Sequence, residues 1–154
     1  MMRVITGIAR GRRLETLPGE DVTRPTTESV KEAVFSMIQF EIEDKNVLDL
    51  FAGSGQLGIE ALSRGAKKCT FVENNRQAYK IVEDNIKHCK LEQGARIVMS
   101  DAYAFLARRD TFAAAALKDK LKLDNVDFVC TDVFEYNNEN KADTAVTFRA
   151  LLDV

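Results

Sequence analysis

The sequence predicts one α/β domain in which a mostly parallel sheet is covered by crossover helices and preceded by an N-terminal β-hairpin. From Lys45 onward, short apolar stretches of strand length alternate with longer stretches of helical periodicity. Parallel strands need such crossovers, which are usually helices. A glycine-rich loop follows the first of these strands, and no repeat or linker divides the 154 residues. The length suits a single domain spanning residues 1–154.

The first 25 residues are predicted to form a basic hairpin and loop. Two β-like stretches, Arg3–Thr6 and Arg12–Thr16, flank Ile8–Gly11, whose glycine suits a tight turn. Residues 1–13 contain four arginines and no acidic residue, although the whole chain has a net charge of −2. A basic arm on an acidic body predicts an anionic partner at one end, with a solvated surface hairpin as the alternative.

Residues 26–154 are assigned to the α/β core. Thr26 or Thr27 is expected to begin a helix with one apolar face, formed by Val30, Val34, Met37 and Ile38. The elements predicted after it are strands Asn46–Phe51, Lys68–Glu73, Arg96–Ser100 and Val126–Thr131 and helices Leu57–Arg64, Arg76–Cys89, Tyr103–Leu123 and about Thr144–Leu152. Because little chain follows Asp132, we expect the sheet to be incomplete at its C-terminal edge.

Composition argues against several classes of protein. No apolar run approaches the roughly 18 residues of a membrane span, and no signal-peptide pattern opens the chain. The three cysteines, Cys69, Cys89 and Cys130, are far apart and form no C-x-x-C pair, which predicts a reduced, cytoplasmic protein. The single His88 is expected on the polar face near a helix end. We expect no metal site, and a monomer unless the open sheet edge pairs.

The loop after the first core strand has the pattern G-x-G-x-x-G at Gly53–Gly58. Such glycines let the backbone turn sharply and approach a ligand beside a helix N-terminus. Glu73 ends the second core strand, where a carboxylate can accept hydrogen bonds from ribose hydroxyls. Both features fit a nicotinamide dinucleotide as well as S-adenosylmethionine.

Asp49 distinguishes these two ligands. It precedes Gly53 on the strand that leads into the loop. A carboxylate there would repel a pyrophosphate but attract the ammonium group of S-adenosylmethionine. Asp101, after the third core strand, is expected to accept a hydrogen bond from the adenine amine. Together with Glu73 these carboxylates predict a cofactor crevice at the C-terminal ends of the strands, with strand-end loop residues or helix caps as the alternative.

Several further segments resemble the bacterial 16S ribosomal RNA guanine-N2 methyltransferase family. They occur in order between residue 2 and about residue 107, and they are Arg3–Gly7, Arg10–Arg12, Arg24–Thr26, Val30–Ala33, Asp49–Gly55, Gly58–Ala61 and Ser63–Ala66. The resemblance implies a Rossmann-like S-adenosylmethionine-dependent methyltransferase fold. It also implies methyl transfer to a guanine exocyclic amine in 16S rRNA or the small-subunit particle.

The resemblance assigns residues to both partners. The cofactor site would comprise Asp49, Phe51, Gly53, Gly55, Glu73, Asp101 and Ala102. The RNA side would comprise Arg3, Arg10, Arg12, Arg13 and Arg24.

The catalytic motif departs from the family pattern. The family has Asp-Pro-Pro-Tyr after its fourth strand, whereas this chain continues with Asp132-Val133-Phe134-Glu135-Tyr136. Asp132 matches the acid that would hold the target amine, and Tyr136 is the candidate for stacking on the extruded base. Because the prolines that would lock the loop backbone are missing, an acidic loop after a strand is the alternative for both.

Three functions follow as hypotheses. The first is an active rRNA guanine-N2 methyltransferase, and the second is a catalytically impaired or truncated cofactor- and RNA-binding module of the same family. The altered motif and the short C-terminal part favour the second. The third, an NAD(P)-dependent oxidoreductase, is disfavoured by Asp49 and by the lack of an identifiable hydride-transfer residue.

Overall fold

The computed structural model describes residues 2–18, 28–107 and 128–130. Its elements are β1 (Met2–Arg3), β2 (Arg13–Leu14), α1 (Glu28–Met37), β3 (Asn46–Asp49), α2 (Gln56–Ser63), β4 (Lys68–Glu73), α3 (Arg76–Cys89), β5 (Ala95–Met99), α4 (Ala102–Ala107) and β6 (Phe128–Cys130). A short 3₁₀ turn, Glu92–Gly94, precedes β5.

The central sheet has the strand order β5-β4-β3-β6, and each neighbouring pair is parallel. The chain moves outward from β3 to β5 and then returns to place β6 on the other side of β3. This reversal beside β3 is the place where open α/β sheets bind ligands, at the C-terminal ends of the strands. The predicted parallel sheet is confirmed, with β6 at the edge of the part described here.

All eight residues of α2 are buried. One side of α2 packs on β3 and β4, and the N-terminal hairpin covers its outer side. An outer helix of an α/β domain ordinarily keeps a polar face toward water. The hairpin therefore adds a third layer, which turns α2 into an interior helix.

Glu60, near the end of α2, holds the hairpin in place. Its fully buried carboxylate accepts hydrogen bonds from the main-chain N–H groups of Ile5, at 2.8 Å, and Thr6, at 3.0 Å. The guanidinium of Arg64 also donates to it, at 2.8 Å. The same region of α2 supplies Ser63, whose hydroxyl accepts from the N–H of Ala9 at 3.0 Å. Two successive turns of α2 thus dock the hairpin tip.

Lys31 of α1 completes this buried network. Its Nζ donates to the Arg3 carbonyl at 2.7 Å and lies 3.6 Å from a Glu60 carboxylate oxygen, and both side chains are 0 % exposed. Burial lowers the pKa of Lys31, while the carboxylate of Glu60 acts in the opposite direction. The ammonium group therefore joins α1 to the hairpin and to α2 at one point.

The buried face of α1 differs from the prediction. The expected face comprised Val30, Val34, Met37 and Ile38. The predicted Ile38 is buried and Val30 and Val34 are partly buried, but Met37 is 80 % exposed and the unpredicted Lys31 and Phe35 are fully buried. Lys31 turns toward Glu60, and the Arg64 guanidinium lies 5.0 Å from the centroid of the Phe35 ring. A buried ion network, invisible to apolar periodicity, sets the rotation of this helix.

The predicted hairpin is present, but its strands are shorter than Arg3–Thr6 and Arg12–Thr16. Met2 pairs with Leu14 and Arg3 with Arg13, and the N–H of Val4 then donates to the Arg12 carbonyl. Beyond Val4 the strand prediction is wrong, because the next two amides bond Glu60 rather than a neighbouring strand. The second arm stops being a strand before Thr16, because the Glu15 main chain bonds the side chain of Asn85.

The remaining bounds agree closely with prediction where the structure describes them. Lys68–Glu73 and Arg76–Cys89 are observed as predicted, and α3 is capped by Asn75, whose side chain accepts from the N–H groups of Gln77 and Ala78. The exposed His88 lies in the last turn of α3, as expected. Most of the helix Tyr103–Leu123 and all of Thr144–Leu152 lie outside the described residues. In the parts that are described, no helix is long and apolar enough to cross a membrane.

Replacing Glu60 by Gln is expected to lower the free energy of unfolding by about 3–5 kcal/mol, because it leaves the Lys31 charge buried without its counter-charge. Urea unfolding measures this loss. Glu83→Gln, which removes a partly exposed carboxylate beside Lys80 and Lys87, serves as the control and should leave the unfolding midpoint nearly unchanged. Equal, small effects of both substitutions would contradict a structural role for the buried network.

Candidate functional site

The glycine loop runs from the end of β3 into α2. Gly53 has a φ of +55° and Gly55 a φ of +78°, both in the left-handed region that favours glycine. The Gly55 carbonyl accepts from the N–H of Ile59 at 2.9 Å and so starts α2. A Cβ on Gly55 would lie 3.2 Å from Val82 and 3.3 Å from Ile59. The loop is therefore tightly packed between α2 and α3.

The packing around Gly58 explains why the last position of the G-x-G-x-x-G pattern is a glycine. A Cβ at this position would lie 2.3 Å from the Phe71 ring and 2.6 Å from the Cys69 sulfur, both on β4. The missing side chain lets α2 lie directly on the sheet, which fixes where its N-terminus points.

Glu73, at the end of β4, fastens the loop. One carboxylate oxygen accepts from the N–H of Gly53 at 2.8 Å, and the other accepts from the N–H of Asn75 at 2.8 Å. The residue is only partly buried, and each carboxylate oxygen can accept a second hydrogen bond. Glu73 can thus position the loop and still receive ribose hydroxyls. The loop-positioning role is one that the sequence did not reveal.

Asp49 lies beneath the first turn of α2. It is 1 % exposed, and one of its carboxylate oxygens accepts from the N–H of Gly58 at 3.1 Å. A negative charge at this end of a helix is stabilised by the helix dipole. Asp49 therefore supports α2 from inside the sheet, and its attraction for an ammonium group stays a prediction.

Asp101 follows β5 and starts α4. Its side chain accepts from the N–H of Ala104 at 3.0 Å, so it acts as the helix cap that was the alternative to adenine binding. Asp101 is exposed, whereas the adjacent Ala102 is buried. Phe51, in the loop after β3, is partly buried.

The sheet brings the predicted cofactor residues to one edge. Asp49, Glu73 and Asp101 stand at the C-terminal ends of adjacent parallel strands. The N–H of Ser100 donates to the Glu73 carbonyl at 3.1 Å, so the ends of β4 and β5 remain joined. On the other side of β3, Cys130 at the end of β6 pairs with Asp49.

The candidate catalytic residues Asp132 and Tyr136 and the candidate RNA-binding residue Arg24 lie outside the described residues, so the structure does not test their roles. Within the described ranges, no group of three or more His, Cys, Asp or Glu residues is placed to hold a metal ion.

The hairpin arginines divide into two pairs. Arg3 bonds Glu28 of α1, with 2.9 Å between Nε and the carboxylate, and Arg12 donates to the His88 carbonyl at the end of α3. Arg10 and Arg13 are exposed. Arg3 and Arg12 thus contact other elements, although Arg3 is itself exposed, and Arg10 and Arg13 face solvent.

Asn85 is a candidate functional residue that the sequence reasoning missed. It is buried on the apolar face of α3, in register with Val82, Ile86 and Cys89, and bonds both the glycine loop and the hairpin. A polar residue within the apolar stripe of a helix was the signal that could have identified it. Glu60 carries the same signal inside α2.

Comparison with known proteins identifies the family. The family model described as conserved hypothetical protein 95 matches residues 2–117. The chain belongs to this family. The match extends past residue 107, where the resemblance recognised in the sequence ends. Together with the relatives below, it confirms the predicted family.

Two relatives show the breadth of the family match. The putative rRNA methyltransferase YlbH of Bacillus subtilis is 42 % identical over 139 residues, which are 88 % of this chain and 75 % of that protein. Ribosomal RNA small subunit methyltransferase D of Escherichia coli is 42 % identical over 110 residues, which are 71 % of this chain and 54 % of that protein. The chain thus spans about half the length of the second relative.

Solved structures confirm the α/β methyltransferase fold. The putative methyltransferase yhhF from Escherichia coli is 40 % identical with a TM-score of 0.62, and the match covers 69 % of this chain and 56 % of that chain. The putative methylase HI0767 from Haemophilus influenzae is 28 % identical with a TM-score of 0.60, covering 93 % of this chain and 85 % of that chain.

Proposed function

We propose that this chain is an S-adenosylmethionine-dependent methyltransferase domain that acts on a guanine exocyclic amine of small-subunit ribosomal RNA in the cytoplasm. The observation that carries the proposal is the glycine loop, held by Glu73 and Asp49 at the C-terminal edge of the sheet, in a family whose named relatives are rRNA methyltransferases. The partner would be 16S rRNA or the small-subunit particle.

The residues at this edge fit S-adenosylmethionine. Glu73 is partly exposed and offers carboxylate oxygens suited to two neighbouring ribose hydroxyls, and the exposed Asp101 suits the adenine amine. The carboxylate of Asp49, at the end of β3, is proposed to attract the ammonium group. When bound, the cofactor supplies an electrophilic methyl group on a sulfonium. A pyrophosphate would instead meet the carboxylates of Asp49 and Glu73, which disfavours a nicotinamide dinucleotide.

The target amine needs help from the protein because its lone pair is delocalised into the guanine ring. We propose that Asp132 accepts one N–H of the amine and that Tyr136 stacks on the extruded base. Supporting this placement, β6 ends at Cys130 beside Asp49 and leads the chain toward the cofactor edge. The missing prolines favour the second candidate function, a domain that binds its ligands but transfers methyl groups slowly.

The hairpin is proposed to contact RNA phosphates. Arg10 and Arg13 are exposed on it, and Arg3 and Arg12 add positive charge although each bonds another part of the protein. Phosphate contacts release counterions and make the affinity fall steeply with salt.

Replacing Glu73 by Ala is expected to weaken binding of S-adenosylhomocysteine, the demethylated cofactor, by about 10- to 150-fold, or about 1.5–3 kcal/mol, since two charge-assisted hydrogen bonds are lost. Calorimetry on the wild type and the variant measures this. Glu83→Ala on the outer face of α3 is the control and should bind like the wild type. Tighter binding of NAD than of the methyl donor by the wild type would refute the assignment of the cofactor.

Arg10→Gln and Arg13→Gln are each expected to weaken the salt dependence of binding to small-subunit rRNA. Each should reduce the magnitude of the slope of log affinity against log salt concentration by about 0.7–0.9. Arg3→Gln and Arg12→Gln should change this slope less, because both side chains already bond the protein. Filter binding over a salt series provides the measurement. If replacing residues 3, 10, 12 and 13 together leaves RNA binding unchanged, the hairpin is only a structural element.

In a single-turnover assay with labelled methyl donor and 30S-type particles, this chain is expected to methylate slowly or not at all. Val133 and Phe134 leave the loop less fixed than prolines would, and a 1 Å misplacement of reacting groups can cost about 100-fold in rate. The triple variant Val133→Pro, Phe134→Pro and Glu135→Tyr should be faster. Robust turnover by the unmodified chain would show that Asp132 and a nearby aromatic suffice.

A further inference from the structure

Asn85 bonds two segments of the chain that the proposed function uses separately. Its side-chain nitrogen donates to the Ser54 carbonyl in the glycine loop at 2.9 Å and to the Glu15 carbonyl in the hairpin at 2.9 Å. Its side-chain oxygen accepts from the N–H of Glu15 at 2.8 Å. The residue is 2 % exposed, so water does not compete for these bonds.

The chemistry of these bonds requires an amide. A buried carbonyl needs a donor, and the Asn side chain offers two N–H donors and one acceptor on a single planar group. An Asp of the same shape would keep only the bond from the Glu15 N–H and would face the Ser54 and Glu15 carbonyls with a negative charge. An Ala would leave these main-chain groups buried without a hydrogen-bond partner. This destabilises a protein more than the loss of a solvent-exposed hydrogen bond does.

The two connected segments are functionally distinct. Ser54 lies between Gly53, whose N–H is held by Glu73, and Gly55, which starts α2, so any shift of the loop moves the Ser54 carbonyl. Glu15 closes the second arm of the hairpin, just after the exposed Arg13. The hydroxyl of Ser54 also approaches the Met2 sulfur in the first arm, at 3.4 Å. The hairpin base thus rests against the cofactor loop.

We propose that Asn85 is a positioning residue that couples the methyl-donor site to the RNA-binding hairpin. A ligand bound at the glycine loop restrains the Ser54 carbonyl, this carbonyl restrains the Asn85 amide, and the amide restrains the hairpin arm at Glu15. By linkage, RNA bound to the hairpin strengthens binding of the methyl donor by the same factor. This inference rests on the proposed function.

The test is a binding cycle with the full chain. Affinity for deproteinised small-subunit rRNA is measured with and without saturating S-adenosylhomocysteine. The wild type should bind the RNA at least about fivefold more tightly with this ligand, the lower end of typical coupling between sites. In Asn85→Ala and Asn85→Asp, the ratio of the two affinities should approach one, even where the variant binds each ligand alone more weakly than the wild type does.

Ser63→Ala is the matched control. The Ser63 hydroxyl donates to the Thr6 carbonyl at 2.6 Å and accepts from the Ala9 N–H at 3.0 Å, so this variant loosens the hairpin tip without touching the glycine loop. It should retain the wild-type ratio of affinities. Equal loss of the ratio in Ser63→Ala and Asn85→Ala would overturn the inference, because any loosening of the hairpin would then suffice.

A measurement on the wild type avoids any folding defect of the variants. Adding S-adenosylhomocysteine alone should slow hydrogen exchange at the Glu15 amide, while the Ala9 amide, which bonds Ser63, should be unaffected. No change at Glu15 overturns the inference. If the wild type binds neither ligand, the proposed function is overturned as well. If it binds both ligands but the ratio of RNA affinities is the same in the Asn85 variants, only the coupling is overturned.

Discussion

The burial of one carboxylate, that of Glu60, joins three elements outside the sheet: the N-terminal hairpin, α1 and α2. A charge removed from water must be compensated by hydrogen bonds and opposite charge. Here the compensation comes from two hairpin amides, from Arg64 on the same helix and from Lys31 on α1. An apolar side chain could fill the same space, but it would not select these partners. We infer that the carboxylate specifies where the hairpin and α1 dock.

Because Glu60 lies on α2, this single short helix connects the proposed cofactor site to the proposed RNA-binding hairpin. Its N-terminus continues from the glycine loop, and Glu60 and Ser63 near its C-terminus hold the hairpin. Gly58 lets the helix lie against β4 with no intervening side chain. A helix buried on every side has little freedom to tilt, so the relative position of the two regions is fixed by packing as well as by hydrogen bonds.

Local patterns in the sequence were sufficient for the elements that depend on local rules. The strand Lys68–Glu73 and the helix Arg76–Cys89 were predictable because alternation and helical periodicity are strong there and Asn75 is a good helix cap. The glycine loop was predictable because its backbone needs glycine. The rotation of α1 was not, since it depends on Lys31 meeting Glu60, a residue distant in sequence.

The candidate site was likewise only partly predictable from the sequence. Its carboxylates could be found because strand ends of a parallel sheet share an edge, but the sequence could not reveal which groups they already bond. Glu73 was expected to receive a ligand, and it also holds the N–H of Gly53.

Arg3 and Arg12 looked equivalent to Arg10 and Arg13 as charges, yet they bond Glu28 and the His88 carbonyl. The bonds of Asn85 depend on a hairpin that folds back from the other end of the chain. The side chains described as bonding the glycine loop and the first turn of α2 are those of Met2, Asp49, Glu73 and Asn85, all before β6. The altered motif after β6 is therefore a change in the proposed chemistry that leaves the support of the cofactor loop in place.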